Sequence, residues 1–387
     1  MAEKQTNALP KQIIFLTTGL SSGGAQMMLY KLLFGINKKQ FEPVVISLMD
    51  RGVFGDHIEA LGIPVYTIGM QPGSPTPTLI WQVISTARKL KPDLLQGWMY
   101  HGNLAAQLAG AFQQVPVLWS VRQSLYSFEY EKPGTAAVIR LSAKLSRLPR
   151  RIIYNAKTSA VHHEKIGYFP NKTQVIPNGF DTELFKPLKE LRCSVRAELG
   201  ISDDTVLISL MGRYHPMKDH TNFLQAAALL LKKYSGIHFV LAGEGIDGNN
   251  QSLRNLIQEL RLVEQTHLLG DRSDMPRLTA ALDIACSSSL TEGFANVIGE
   301  AMSCAVPCVV TDVGDSAWIV GNTGRVVPPR DPNSLFKAWE ELIDIGSQGR
   351  EILGKAARAR IIECFSLNFV VAQYEGLYES MLAEKVN

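Results

Sequence analysis

Cysteine is scarce in this chain and odd in number: five among 387 residues, at positions 193, 286, 304, 308 and 364. An odd count in apolar settings argues against a disulfide framework and fits a reducing, cytoplasmic environment. Cys304 and Cys308 stand four apart with no His or acidic cluster beside them, so they read as buried thiols and not as metal ligands. No apolar run approaches the roughly 18 residues a membrane span needs. The opening MAEKQTNALPKQ has no apolar core of the kind a secretory leader carries, so none is expected. Charge is also sparse, at 19% of residues with a formal net of +3, while 46% are hydrophobic. That balance belongs to folded globular chains and not to long disordered ones.

What is present is length and alternation. A chain of 387 residues exceeds what one hydrophobic core usually serves, so two domains are expected. The small net charge hides an asymmetry. Residues 1–185 hold 19 Lys and Arg against 11 Asp and Glu, a net of +8, and the remainder holds 20 against 25, a net of −5. A basic first half beside an acidic second half suggests that one domain meets an anionic partner.

Short β-branched runs alternate with helix-length amphipathic segments, the pattern of βαβ units in parallel sheets. In the first half the strand candidates are IIFLTT (13–18), PVVISL (43–48), PVYTI (64–68), DLLQ (93–96), PVLWSV (116–121) and RIIYN (151–155). Helical patterns lie between them, as at 24–36, 79–90 and 103–113. Alternation restarts with TVLISLMG (205–212), HFVLAG (238–243), HLLG (267–270), DIACSS (283–288), PCVVTD (307–312) and GRVVP (324–328). The Pro- and Gly-bearing stretch 177–187 interrupts both periods and is the natural junction. The expected architecture is two doubly wound α/β domains facing one another, spanning 10–186 and 187–365. Ligands of such sheets bind outside the carboxyl ends of the strands, so chemistry is expected in the cleft between the domains.

Several motifs fall at those strand ends. TTGLSSGGAQ follows the first strand, and Gly23 and Gly24 allow backbone N–H groups to approach a phosphate at a helix start. It is not a Walker loop, because no Gly-Lys-Ser/Thr follows. MGRYHPMKDH follows the first strand of the second half. Its Arg213 supplies a planar fork and its Lys218 a point charge, a pair suited to a diphosphate. GEGIDG contains a literal G-x-G-x-x-G at Gly243, Gly245 and Gly248, but it follows the second strand of its domain and lacks the acidic partner about 20 residues on. It reads as a turn beside the ligand and not as a dinucleotide site. His101 sits just past a strand, where a structural and a functional reading are both open. His162, His163 and His215 have no ligand-like context. Arg140, Lys144, Arg147 and Arg151 repeat at i, i+4, i+7 and i+11 beside Leu141, Leu145 and Leu148. That stripe is either an ordinary surface helix or one that lies on an anionic membrane. Nucleic acid is not expected, since no aromatic residues interleave with the basic ones.

The stretch TEGFANVIGE carries Glu292 and Glu300 eight positions apart. In one continuous helix eight residues rise about 12 Å, too far for two carboxylates to serve one bond. Gly293 points instead to a loop with a helix beginning near Asn296. The N–H groups of Gly293, Phe294, Ala295 and Asn296 then make an anion site, with Glu292 on one side and Glu300 one turn inside the helix. Carboxylates accept hydrogen bonds from vicinal hydroxyls, so this suits a sugar–phosphate–ribose ligand, given cations such as Arg213 and Lys218 to offset repulsion.

Together the Gly-Gly loop at 23–24, G-R-x-x-x-x-K-D at 212–219 and E-G-F-x-N-x-x-x-E at 292–300 resemble family 4 of the retaining, sugar-nucleotide-dependent glycosyltransferases with the GT-B architecture. IPNGFD (176–181), VTDVGD (310–315) and GRVVPPRDP (324–332) are similar to that family as well, so the likeness covers nearly the whole chain. The resemblance implies a fold of two facing Rossmann-like domains with a deep cleft, and a last helix (366–387) returning to the N-terminal, acceptor-side domain. It implies transfer of a sugar from a nucleoside-diphosphate donor to a hydroxyl of a lipid-linked or cell-surface glycan precursor, with retention and no metal or other cofactor. Arg213 and Lys218 would hold the donor diphosphate, Glu300 the ribose hydroxyls and Glu292 the transferred sugar, with the backbone of Phe294, Ala295 and Asn296 nearby. His101 would face the sugar, and Gly23 and Gly24 would admit the phosphates. No role is carried to Gln26. A cytoplasmic location, peripheral on the inner face of the plasma membrane, is the matching expectation. The rivals are a nucleotide-sugar epimerase of the same architecture and a non-catalytic nucleotide-sugar binder. A glycoside hydrolase needs two carboxylates about 5–10 Å apart and has no use for a phosphate grip.

Overall fold

The computed structural model describes residues 9–71 and 76–383. The chain folds as two units: unit 1 is Met1–Gly179 with Val370–Asn387, and unit 2 is Phe180–Phe369. Unit 1 holds β1 (Lys11–Thr17), β2 (Phe41–Ser47), β3 (Val65–Thr67), β4 (Leu94–Trp98), β5 (Val117–Val121), β6 (Arg151–Tyr154) and β7 (Thr173–Val175). They form a seven-stranded sheet in the order β3-β2-β1-β4-β5-β6-β7. Every neighbouring pair is parallel. Unit 2 holds β8 (Val206–Met211), β9 (Ile237–Ala242), β10 (Thr266–Leu268), β11 (Ile284–Ser287), β12 (Cys308–Thr311) and β13 (Arg325–Val327). They form a parallel sheet in the order β10-β9-β8-β11-β12-β13. Both units are doubly wound, with the order reversing between β1 and β4 and between β8 and β11.

Central strands covered on both faces read as unbroken apolar runs. Ile13, Ile14, Phe15 and Leu16 of β1 are fully buried, as are Ile208 of β8 and Ile284 of β11. The seventh strand of the first sheet, Thr173–Val175, lies just before the junction stretch 177–187 and is too short to show a period of its own. The units part at Gly179, before the 186/187 boundary expected from composition. Phe180 belongs to unit 2: its backbone pairs with Phe365 and Leu367, and its ring stacks on Phe294 at 6.0 Å. Gly299 must be glycine for the same reason, since a Cβ there would stand 2.0 Å from the Phe180 ring.

The helix Leu367–Ala383 enters unit 1 at Val370 and fills a groove on its sheet. Tyr374 and Tyr378 are fully buried there, Tyr378 edge-on to Phe15 and Phe41. Arg122, the residue after β5, donates to the Tyr374 hydroxyl and to Asn178 Oδ1 and lies 4.9 Å from the Trp98 ring centroid. One guanidinium thus ties down the last residues before the chain leaves unit 1 and the first turns after it returns.

The basic stripe is not one helix. The helix Pro133–Leu145 ends where Ser146 turns its hydroxyl onto the Ala143 carbonyl (2.6 Å) and accepts from Phe169 N–H (2.9 Å). Arg140 and Lys144 share the exposed face of that helix, Arg147 lies in the following turn against the Phe169 ring, and Arg151 opens β6. Leu141 and Leu148 remain exposed beside them, while Leu145 packs on the core. No helix among the described residues is long and apolar enough to cross a membrane.

The buried imidazole of His163 makes a test of this packing. It is enclosed by Tyr100, Tyr154 and Tyr168, its Nδ1 is 2.7 Å from the Ser159 carbonyl and its Nε2 is 2.8 Å from the Tyr100 hydroxyl. Burial pushes its pKa down from 6.5 to about 4, against a smaller opposing effect of the Ser159 carbonyl. Above pH 6.5 both folded and unfolded chains carry the neutral ring. Below it only the unfolded chain takes up the proton, until about pH 4. Acidification through this window should therefore remove about 3 kcal/mol of stability through His163. Urea unfolding from pH 7 to pH 4 is expected to fall less steeply in His163→Gln than in the wild type, and parallel profiles would contradict it.

Candidate functional site

In a doubly wound sheet the crevice opens where the strand order reverses. In unit 2 that point is the carboxyl ends of β8 and β11, and Arg213 and Lys218 follow β8 while Glu292 follows β11. After β8, Gly212 adopts φ 143°, and His215 Nδ1 accepts from Met217 N–H (3.2 Å) to cap the turn Pro216–Lys218. Asp219, at φ 49°, then caps the helix His220–Leu231 by accepting from Asn222 N–H (3.2 Å). Lys218 is thereby presented by a capped turn and not by a loose loop. Arg213 is exposed and makes no salt bridge among the described residues.

The loop after β11 is tied to this turn along its whole length. Leu290 N–H donates to the Met217 carbonyl (2.8 Å), and the Ser288 hydroxyl donates to the carbonyls of Lys218 (2.8 Å) and Asp219 (3.1 Å). Lys218 Nζ meets Glu292 Oε1 at 2.5 Å, with side chains 24% and 14% exposed. The same oxygen accepts from the Ser289 hydroxyl at 2.8 Å. Thr311 of β12 donates to the Ser289 carbonyl (2.6 Å). Gly314, at φ 58°, lies so close that a Cβ would stand 2.0 Å from the Glu292 carbonyl oxygen, and Asp315 N–H donates to the Gly293 carbonyl (3.1 Å).

The next helix runs Asn296–Ser303, so Glu292 and Glu300 stand on different elements. Among the described residues no side chain caps its start, and its first turn holds no acid. Phe294 and Ala295 are buried. Glu300 is half-buried and lines a small cavity with Met211, Met275, Thr279 and Val297. His220, in the first turn after Lys218, is buried beside Tyr214, and burial followed by the charge of Lys218 pushes its pKa down to about 4. It is neutral at neutral pH and adds no charge to the site.

Gly243 has a local explanation distinct from ligand contact. At φ 145°, a Cβ would stand 2.3 Å from the Gly212 carbonyl oxygen. Its N–H donates to Gly270 (2.7 Å), and Gly212 N–H donates to Ala242 (2.8 Å). The glycine lets the ends of β8 and β9 close on each other.

In unit 1 the reversal lies between β1 and β4. The turn after β1 carries Gly23 and Gly24 into the helix Gly24–Gly35. Gly23 is extended at φ 164°, and a Cβ there would meet only the tip of the flexible Gln26 side chain. The fold itself therefore does not demand glycine at 23. Trp98, last in β4, donates from its indole N–H to the Ala25 carbonyl (2.9 Å) and so pins this helix start. Met99 follows at φ 66°, and His101 stands in the first turn of the helix Met99–Gln113. That helix lies hard against β1: a Cβ on Gly102 would be 2.2 Å from the Leu16 carbonyl oxygen. Burial lowers the His101 pKa, so the ring is neutral at neutral pH.

Each unit thus brings its own candidates to its own reversal point. Sequence reasoning passes over Ser288, Ser289, Thr311 and Gly314, whose signal was the run of three serines leading into the Glu292 loop. It also passes over Arg122, which is nine-tenths buried with no carboxylate partner among the described residues. No group of three or more His, Cys, Asp or Glu suited to a metal occurs among the described residues.

Comparison with known proteins bears on this geometry. Residues 22–184 match the family model described as Glycosyltransferase Family 4, and residues 205–344 match that of Glycosyl transferases group 1. An Escherichia coli relative, UDP-Gal:alpha-D-GlcNAc-diphosphoundecaprenol alpha-1,3-galactosyltransferase, is 27% identical over 73% of this chain and 73% of its own length. The putative glycosyltransferase EpsF of Bacillus subtilis is 26% identical over 79% of this chain and 80% of its own length. Among solved structures, Anabaena HepE in complex with UDP superposes with a TM-score of 0.84 at 24% identity, covering 95% of this chain and 100% of HepE. WaaG, a glycosyltransferase involved in lipopolysaccharide biosynthesis, gives 0.69 at 15% identity over 94% of this chain and 98% of its own. With one family model on each of its two parallel-sheet units, the chain belongs to glycosyltransferase family 4 and is a glycosyltransferase of GT-B fold.

Proposed function

We propose that the protein transfers a sugar from a nucleoside-diphosphate donor to a hydroxyl of a lipid-linked or cell-surface glycan precursor, with retention at the anomeric carbon. The observation that carries this reading is the Lys218–Glu292 pair at the β8/β11 reversal point, beside an acid-free helix start at Asn296. A diphosphate is repelled by unpaired carboxylates, and the carboxylate of Glu292, four residues before that helix start, is already bound to an ammonium. In this reading Arg213 and Lys218 stabilise the leaving diphosphate and Gly293, Phe294, Ala295 and Asn296 offer backbone. Glu292 accepts from hydroxyls of the sugar and Glu300 from those of the ribose. The roles in unit 1 are those of the resemblance: neutral His101 faces the sugar, and the Gly23–Gly24 turn admits phosphate. The HepE complexes named for UDP and UDP-glucose support such a donor, and the E. coli relative named for a diphosphoundecaprenol substrate supports such an acceptor.

The deciding assay is release of nucleoside diphosphate from UDP-, GDP- and ADP-hexoses with and without lipid-linked acceptors. Release should depend on the acceptor, and its glycosidic product should keep the donor's anomeric configuration by NMR. Conversion of the sugar nucleotide without acceptor would establish the epimerase reading, and binding with no turnover on any acceptor would establish the non-catalytic one. Arg213→Ala should lower kcat/KM for the donor by roughly 10- to 100-fold, the loss of a charged hydrogen bond to phosphate. Unchanged kinetics would remove Arg213 from the site. Because the leaving charge is assigned to Arg213 and Lys218, no metal is required, and excess EDTA should leave the rate unchanged.

A peripheral membrane location forms part of the proposal. Exposed Leu141 and Leu148 flank Arg140, Lys144 and Arg147 with Arg151 close by, an apolar and basic patch suited to anionic lipid headgroups. Co-sedimentation with phosphatidylglycerol vesicles should be strong in the wild type and lost in Lys144→Glu/Arg147→Glu. Wild-type protein left in the supernatant would refute it.

A further inference from the structure

Glu292 stands in a loop, and a glutamate side chain has three rotatable bonds to order before its carboxylate can meet a ligand in one geometry. Its Oε1 is nevertheless held from two sides, by Lys218 Nζ at 2.5 Å and by the Ser289 hydroxyl at 2.8 Å. Two other buried serines place their hydroxyls on carbonyls of the helix they belong to or end, Ser303 on Gly299 (2.7 Å) and Ser146 on Ala143 (2.6 Å). Ser289 donates to a carboxylate instead. An ionised carboxylate only accepts, so the one Ser289 proton is committed to Glu292 at 2.8 Å, while the Ser287 hydroxyl lies farther off at 3.4 Å. Its backbone is bolted to β12 by Thr311, and Ser289 and Thr311 are both fully buried.

We propose that Ser289 is a positioning residue for sugar transfer: it orients the Glu292 carboxylate from inside the fold, with Lys218 holding the same oxygen. The proposal rests on the reading of Glu292 as a ligand of the transferred sugar. A hydroxyl on the sheet end is better placed for this than the ammonium alone. Lys218 reaches Glu292 on a four-carbon stem, whereas Ser289 is anchored one bond from a strand-bound backbone. The interaction is local in sequence, three residues before Glu292, and belongs to unit 2 alone.

A four-member cycle tests it, using wild type, Ser289→Ala, Glu292→Gln and the double variant. The donor is the UDP-, GDP- or ADP-hexose that supports acceptor-dependent release of nucleoside diphosphate. If Ser289 acts through Glu292, Ser289→Ala lowers kcat by roughly tenfold, the loss of a hydrogen bond to a charged group, with donor KM changed less than threefold. In the Glu292→Gln background the same substitution then changes kcat less than twofold. Multiplicative effects, or an unchanged kcat in Ser289→Ala beside an impaired Glu292→Gln, would overturn the positioning role while leaving the Glu292 reading intact. A Glu292→Gln enzyme indistinguishable from wild type, or no turnover with any of the three donors, would overturn both. Ser289→Cys, which keeps the volume with a weaker donor, runs the same cycle if the alanine variant does not fold, and an intermediate kcat is then expected.

Discussion

A parallel sheet cannot be joined by hairpins. Every strand must be followed by a crossover, usually a helix, and all carboxyl ends then emerge along one edge. Both units obey this constraint, and it decides where polar chemistry can stand. In each, the first strand leads one way along the sheet and the fourth leads the other, so the helices that follow diverge and leave a crevice between them. Gly23, Gly24 and His101 border that crevice in unit 1, and Arg213, Lys218 and Glu292 in unit 2.

Within unit 2 the tie is made by hydroxyls more than by charges. Ser288 holds the carbonyls of the Lys218 turn, Ser289 holds Glu292, and Thr311 holds the serines. An ion pair a quarter exposed contributes little by itself, since water screens it and two long side chains must be ordered. Set on short, buried, hydrogen-bonded residues, the same pair keeps a fixed geometry. The site therefore combines a charged surface with an uncharged, rigid support, and it is the support that makes the position of the charge reproducible.

Much of this was legible in the residues. Alternating β-branched runs and amphipathic segments place twelve of the strands, and Gly293 signals that the helix starts at Asn296 and not at Glu292. Other features were not. The meeting of Lys218 with Glu292 joins positions 74 apart, which no local pattern encodes. The spacing of Arg140, Lys144, Arg147 and Arg151 continues a helical period past the point where Ser146 ends the helix, because side-chain spacing does not register a backbone that has turned. Gly243 mimics a phosphate loop, yet its neighbour is the Gly212 carbonyl on the adjacent strand. The junction expected at 186/187 falls at 179/180, because Phe180 looks like linker beside Asn-Gly and becomes core only once Gly299 leaves room for its ring.

Arg122 gathers Asn178 and Tyr374, positions nearly 200 residues apart, onto one guanidinium, and this has a bearing on biosynthesis. The residues of unit 2 leave the ribosome as one uninterrupted segment and have all their partners when Phe369 is made. Unit 1 does not. Until the segment bearing Tyr374 and Tyr378 is translated, Phe15, Phe41 and the buried arginine lack their covering helix. The half of the protein that is synthesised first is thus the half whose covering helix is synthesised last.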